Sequence, residues 1–330
     1  MLILTKSVMV MMISFIISTL FAIFTIPTLK KLKADQRLSI YLEDVHQKKA
    51  GTPTMGGIIF IVPTILIFLL FYFLDKINIT YNFLIIIITF ISYGLLGFID
   101  DYLIIKRNNN KGLSESTKLL FQLLIALIFF YLFMRGGNEP LLWIQALNIK
   151  LDIGWIYGLF ILLVLVASSN AVNITDGLDG LAGGLSVLAF LAFGILSWAA
   201  GWLEGYEEIA LFCFTLIGAL LAFLLFNVHP AKVFMGDTGS LALGATLGAI
   251  AIVTRHEILL IVIGIAFVIE TMSCVIQRIY YKFTKKRFFL MTPIHHSFEK
   301  KGWEERDIVK LFWVIGLIGA MLSLIYGVWW

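Results

Sequence analysis

Asp100-Asp101-Tyr102 puts two adjacent carboxylates at the end of a long apolar run. Neighbouring carboxylates repel, so a cation has to offset them: a divalent metal, or Lys106, Lys111 and Lys118 of the following stretch. A second group reads Asn170-Ala-Val-Asn173-Ile-Thr-Asp176-Gly-Leu-Asp179-Gly. If helical, its spacing of three lays Asn170, Asn173, Asp176 and Asp179 along one face. Such an oxygen-rich strip suits a hard cation such as Mg²⁺, or the edges of a sugar or base. A third group, Asn227-Val-His229-Pro-Ala-Lys232-Val-Phe234-Met-Gly236-Asp237-Thr238-Gly239-Ser240, leads Asp237 into a helix N-terminus. There its carboxylate either caps the helix or holds a metal beside a phosphate at the positive helix end.

Two further segments carry polar chemistry. Lys48-Lys49-Ala-Gly-Thr-Pro-Thr-Met-Gly-Gly sets a cation beside a tight turn with exposed backbone N–H groups, a combination that suits a phosphate. Pro293-Ile-His295-His296-Ser297 lacks the His or thiol spacing of a zinc site, so hydrogen bonding to a phosphate or polar substrate fits better. Between Gln277 and Leu290, basic residues alternate with aromatics, as in an element lying on an anionic lipid surface.

These groups must be positioned by a membrane scaffold. Of 330 residues, 60% are apolar and 14% charged, and the mean hydropathy is +0.96. That excludes a soluble globular, collagen-like, disordered or nucleic-acid-binding chain. Ten apolar stretches, 8–29, 56–74, 81–99, 119–134, 154–172, 181–203, 209–226, 239–253, 258–276 and 311–330, predict an all-α polytopic membrane protein with about ten transmembrane helices. No internal repeat or linker divides it, so residues 1–330 read as one domain. The connections after odd-numbered spans hold 20 of the 25 Lys and Arg. The positive-inside rule then makes those loops cytoplasmic and both termini extracytoplasmic. Nearly all the polar groups above share the cytoplasmic loops, so the active site is expected there. A secondary transporter would instead carry ionisable groups in mid-span, where Glu270 alone is clearly found.

Acids, amides and lysines gathered at a membrane face point to metal-assisted phosphoryl transfer between a soluble activated donor and a lipid phosphate. The motifs resemble, in order through all five cytoplasmic loops, the phospho-N-acetylmuramoyl-pentapeptide-transferase branch of the polyprenyl-phosphate N-acetylhexosamine-1-phosphate transferase superfamily. Gly-Thr-Pro-Thr-Met-Gly-Gly57 and Pro-Ile-His295-His296 point to that branch. The resemblance implies transfer of phospho-MurNAc-pentapeptide from UDP-MurNAc-pentapeptide to undecaprenyl phosphate, giving lipid I and UMP, with Mg²⁺ as cofactor. It implies Asp237 as metal ligand and Asp100 and Asp101 as catalytic aspartates. Lys49, Lys111, Lys118, Asn173, Asp176, Asp179, Asn227, Phe234, His295 and His296 become substrate-binding candidates, with Phe234 placed to stack on uracil. A multi-pass position in the bacterial plasma membrane, contacts with membrane lipids, no nucleic-acid partner and an admissible homodimer complete the expectation.

Two departures from the family pattern stand out. Ser297 occupies the place of a third consecutive histidine, and Ile104-Ile105 precede Lys106 where a basic residue is expected. A hydroxyl at 297 can hydrogen-bond but not carry a proton charge, and a histidine there is expected to be accepted. The same-class alternative is a relative that transfers GlcNAc-1-phosphate from UDP-GlcNAc.

Overall fold

The structure is a computed structural model that describes residues 2–32, 51–107, 112–144, 149–201 and 203–329. All ten apolar stretches are helical. Their elements are α1 (Leu2–Lys31), α2 (Ile58–Phe73), α3 (Tyr81–Arg107), α4 (Glu115–Arg135), α5 (Ile156–Thr175), α6 (Leu181–Ala199), α7 (Tyr206–Asn227), α8 (Gly236–Val253), α9 (Leu259–Ile263), α10 (Ile265–Thr284), a short α11 (Ile294–Lys300) and α12 (Glu305–Trp329). Eight of them are long and apolar enough to cross a membrane. Such continuous apolar helices are what a bilayer requires, since each backbone polar group must be satisfied within its own segment.

Two stretches differ from a simple span. α2 has 16 residues and carries Pro63 in its second turn. The run 258–276 is broken at Gly264, which ends α9 and starts α10. Glu270, Arg278 and Lys282 then make α10 more polar than a lipid-facing helix. A two-stranded antiparallel hairpin is the other departure from a purely helical reading. β1 (Leu141–Ile144) pairs with β2 (Ile149–Asp152), with Leu141 opposite Asp152 and Ile144 opposite Ile149. The Arg255 guanidinium holds its base, donating to the carbonyls of Glu139 at 2.7 Å and Leu141 at 2.9 Å.

α8 is the centre of the bundle. It packs against α3 and α5, while α1 packs on α7, and α6 on α7 and α12. Within its apolar window 89% of residues are buried, against 28% for α1. Small residues permit that enclosure: a Cβ at Gly244 would lie 2.3 Å from the Ser168 carbonyl oxygen of α5. The C-terminal ends of α3, α5 and α7 meet the N-terminal ends of α4, α6, α8 and α12 at one end of the bundle. The polar groups singled out in the sequence that fall among the described residues gather at that end.

Candidate active site

The N-terminus of α8 is enclosed by carboxylates. Asp101, near the end of α3, accepts the Asp237 N–H at 3.2 Å on one oxygen. Its other oxygen accepts the Thr238 N–H at 2.9 Å and the Thr238 hydroxyl at 2.6 Å. Asp176 accepts the Gly236 N–H. Helix N-termini leave such donors without intrahelical partners, and here two acids from other elements take them. The amides at the positive helix end are therefore engaged by protein carboxylates, which bears on the expectation that they face a phosphate.

Close backbone contacts make this arrangement possible. A Cβ at Gly97 of α3 would lie 2.0 Å from the Asp237 carbonyl oxygen, and one at Gly57 would lie 2.3 Å from the Gly239 nitrogen. Gly236 has φ +72°, and a Cβ there would meet Asp101 Oδ2 and Thr54 Oγ1, each at 2.6 Å. The segment before α2 docks on the segment before α8. Gly56 and Gly57 donate to the carbonyls of Phe234 (2.8 Å) and Met235 (2.9 Å), and Phe234 donates back to Pro53 at 2.8 Å. Phe234 itself is half-buried.

Asp237 projects from this platform into a network of charge. Lys118, one turn into α4, sets its ammonium 2.9 Å from Asp237 Oδ2 and 2.9 Å from Asp100 Oδ2. Ser114 starts that helix by accepting the Thr117 N–H at 3.1 Å. Leu113 donates its N–H to Asp100 Oδ1 at 2.6 Å. Asn173, in the last turn of α5, donates to Asp237 Oδ1 at 2.8 Å and to the Ser240 hydroxyl at 2.9 Å. Asp176 is pushed up to about 7, first by desolvation, then by the negative charges of Asp237, Asp101 and Asp179. Asp100 and Asp237 share the Lys118 ammonium, with Asp101 and Asp176 close by on the amides of α8. That surplus of hard oxygen donors fits a divalent cation such as Mg²⁺.

The single helical face expected for residues 170–179 is cut short because α5 ends at Thr175. Asn170 points outward and donates to the Val166 carbonyl at 2.8 Å. Asp179 lies past the turn and is buried. Its Oδ2 accepts the Ala231 N–H at 3.0 Å and sits 3.1 Å from His229 Nδ1. Glu305, in the first turn of α12, reaches the same imidazole at 3.1 Å and accepts the Asp179 N–H at 2.7 Å. Asp179, His229 and Glu305 bring ligand-type atoms within 4.8 Å of one another. Asn227 is also buried, accepting the Gly180 N–H at 3.1 Å and donating to the Val233 carbonyl at 2.9 Å. Sequence reasoning missed Glu305 and the pairing role of His229, since neither spacing nor hydropathy links α12 to these loops.

His295 is completely buried, 3.0 Å from Glu270 Oε2, and burial pulls its imidazole below the ordinary histidine range. His296 is half-buried with Nδ1 2.5 Å from Glu299. Ser297 is buried, with its hydroxyl donating to the Met291 carbonyl at 2.5 Å and accepting the Met291 N–H at 3.1 Å. An imidazole at 297 would have to displace that segment, so the packing argues against ready acceptance of histidine there. Lys49 and Lys111 lie outside the described residues.

An apolar groove of about 370 Å³ opens beside the site between α5 and the broken α9–α10 pair. Val172, one residue before Asn173, lines it together with Gly264, Phe267 and Met272.

Comparison with known proteins gives one consistent result. The profile of glycosyl transferase family 4 matches residues 83–255, and signature 1 of phospho-N-acetylmuramoyl-pentapeptide-transferase matches residues 49–61. The chain is 44% identical to the phospho-N-acetylmuramoyl-pentapeptide-transferase of Geobacillus thermodenitrificans, over 98% of both chains. It is 45% identical to that of Shouchella clausii over 97% of both. For that of Listeria monocytogenes serotype 4b it is 46% identical, over 94% of this chain and 95% of the other.

Proposed function

The chain belongs to the phospho-N-acetylmuramoyl-pentapeptide-transferase family, and from that premise we propose that it transfers phospho-MurNAc-pentapeptide from UDP-MurNAc-pentapeptide to undecaprenyl phosphate at the cytoplasmic face of the bacterial plasma membrane. The observation that carries this reading is Asp237, fixed by Asn173 on one oxygen and joined through Lys118 to Asp100 on the other. The 20 Lys and Arg assigned to one side by the apolar pattern support the cytoplasmic orientation.

The chemistry is a displacement at the sugar-linked phosphorus of the donor. A lipid-phosphate oxygen forms the new P–O bond, the diphosphate bridge breaks, and UMP leaves with the bridging oxygen. Since the attacking phosphate already carries negative charge at neutral pH, no strong base is needed to create the nucleophile. Asp237 and Asp100 would hold Mg²⁺, which supplies charge neutralisation and polarisation of the diphosphate oxygens. Lys118 adds a cation that is pre-positioned between the two acids rather than recruited from solvent. Asp101 acts at one remove, by aiming Asp237 through the amides of α8. Phe234, half-buried at the edge of the docked loops, offers a ring face to the uracil. The apolar groove lined by Val172 would receive part of the isoprenoid tail.

The decisive experiment follows UMP release by the purified chain in detergent. UMP should appear only when UDP-MurNAc-pentapeptide, undecaprenyl phosphate and Mg²⁺ are all present. Product from UDP-GlcNAc alone would overturn the choice of donor. UMP release without a lipid phosphate would overturn the transfer.

A further inference from the structure

Glu270 is completely buried on α10, in its apolar first half just past the break at Gly264. An ionisable side chain in such surroundings is destabilising relative to an apolar one of similar size, unless it has a specific partner. Its partner is His295, on a different helix and equally buried, with Nδ1 at 3.0 Å. The backbone N–H of His295 also points to the same carboxylate oxygen, at 3.4 Å. The amide bond anchors the start of α11 on Glu270, while the ring lies against the same oxygen at ion-pair distance, with neither ring nitrogen in a hydrogen bond.

The far side of that ring meets the transfer site. A Cβ at Gly177 would lie 2.4 Å from His295 Nε2, so the imidazole sits directly beneath a glycine that no other residue could replace without moving it. Gly177 follows Asp176, whose carboxyl receives the Gly236 amide of α8, and precedes the Asp179 brace to His229 and Glu305. The outer face of Gly177 is exposed. The turn is therefore supported from below by one imidazole.

We infer that Glu270 is a positioning residue of the transfer site, which seats His295 under Gly177 and so fixes the turn that presents Asp176 to the N-terminus of α8. The inference rests on the proposed transfer for its kinetic consequence, but the seat itself is a property of the fold. It assigns Glu270 to the chemistry although the side chain touches no reacting atom.

Three variants and one double variant test it. Glu270→Gln keeps the size and an oxygen facing Nδ1, and turnover should stay within about threefold of wild type. Glu270→Leu is the better residue for that apolar half of the helix, yet turnover should fall about tenfold or more while the thermal midpoint holds. A role limited to packing predicts the reverse order for Gln and Leu, and that order would overturn the inference. His295→Ala should lower turnover to a similar extent, and Glu270→Leu should cost little more in the His295→Ala background, because residues acting through one contact are not additive. Full additivity would count against the seat. A readout independent of substrate is hydrogen exchange of the 174–180 peptide. It should speed up about tenfold in both Glu270→Leu and His295→Ala. Unchanged exchange in both would overturn the inference whatever the activity. Absence of UMP release by the wild-type chain would refute the proposed transfer and leave the exchange result standing on its own.

Discussion

Asp101 and Thr238, on different helices, are joined by two hydrogen bonds to a single carboxylate oxygen, at 2.9 Å from the backbone N–H and 2.6 Å from the hydroxyl. An N-cap is ordinarily supplied by the residue just before its helix. Here it comes from across the bundle, so the direction of Asp237 depends on the docking of α3 against α8.

Replacing Asp101 by Asn should therefore damage the platform. The amide presents an NH₂ group to at least one of three converging donors. The expected cost is about 1–3 kcal/mol of stability, together with loss of turnover. Thermal unfolding and UMP release measured on the same preparation check it, and an unchanged midpoint would refute the cross-bundle cap.

Asp237→Asn should abolish turnover with the fold retained. One carboxylate oxygen becomes a poorer neutral ligand, while the remaining oxygen can still accept from Asn173. Isothermal titration with Mg²⁺ should show the loss of a binding event present in wild type. Wild-type turnover by this variant would remove Asp237 from the proposed metal set.

Lys118→Met leaves Asp100 and Asp237 facing each other without their shared ammonium. Turnover should drop by about 10²–10³, the magnitude typical of losing one preorganised charge at a reacting centre. Rates within threefold of wild type would mean that the contact serves only the resting fold.

Gly97→Ala tests the closest approach of α3 to α8. The added methyl meets backbone 2.0 Å away, at the Asp237 carbonyl, and neither helix can rotate it clear. A loss of about 1–3 kcal/mol or more is expected, with activity falling alongside. Gly201→Ala, where nothing lies within 4 Å, is the matched control and should be silent.

The opposite end of the bundle supplies a pH test. Glu257 is buried, accepts the Tyr157 hydroxyl at 2.6 Å, and is pushed up to about 7, chiefly by burial. Its ordinary value is 4.5. Between 4.5 and about 7 the folded chain holds more protons here than the unfolded chain. Stability should then fall as pH rises through that window and level off above it. Glu257→Gln should flatten the trend in thermal unfolding measured from pH 4.5 to 8. A slope unchanged by the substitution would assign it to another group.

Much of this architecture was legible because a bilayer accepts so few solutions. A helix that must satisfy its own backbone reads as a continuous apolar run, and all ten such runs are helical. The acids were legible for a related reason, since charge is rare in this chain and each charged loop stands out. Gly264 was hidden inside an unbroken apolar run, where periodicity carries no sign of a break. Contacts between distant elements were hidden too. Nothing local ties Lys118 to Asp237, His229 to Glu305, or Asp101 to Thr238, because those pairings arise only when helix ends converge. The spacing of three from Asn170 to Asp179 suggested one face, but the helix stops at Thr175 and the later residues turn away.

The burial of α8 has a consequence for how the membrane can influence this protein. The helix that carries Asp237 is shielded from acyl chains by its neighbours, so a change in bilayer thickness or fluidity has no direct purchase on it. α4, whose apolar window is only 33% buried, lies open to the lipid and carries Lys118 in its second turn. α5 is equally open and carries Asn173, so stress in the bilayer would reach Asp237 through its two partners, Lys118 and Asn173, rather than through the helix that bears it.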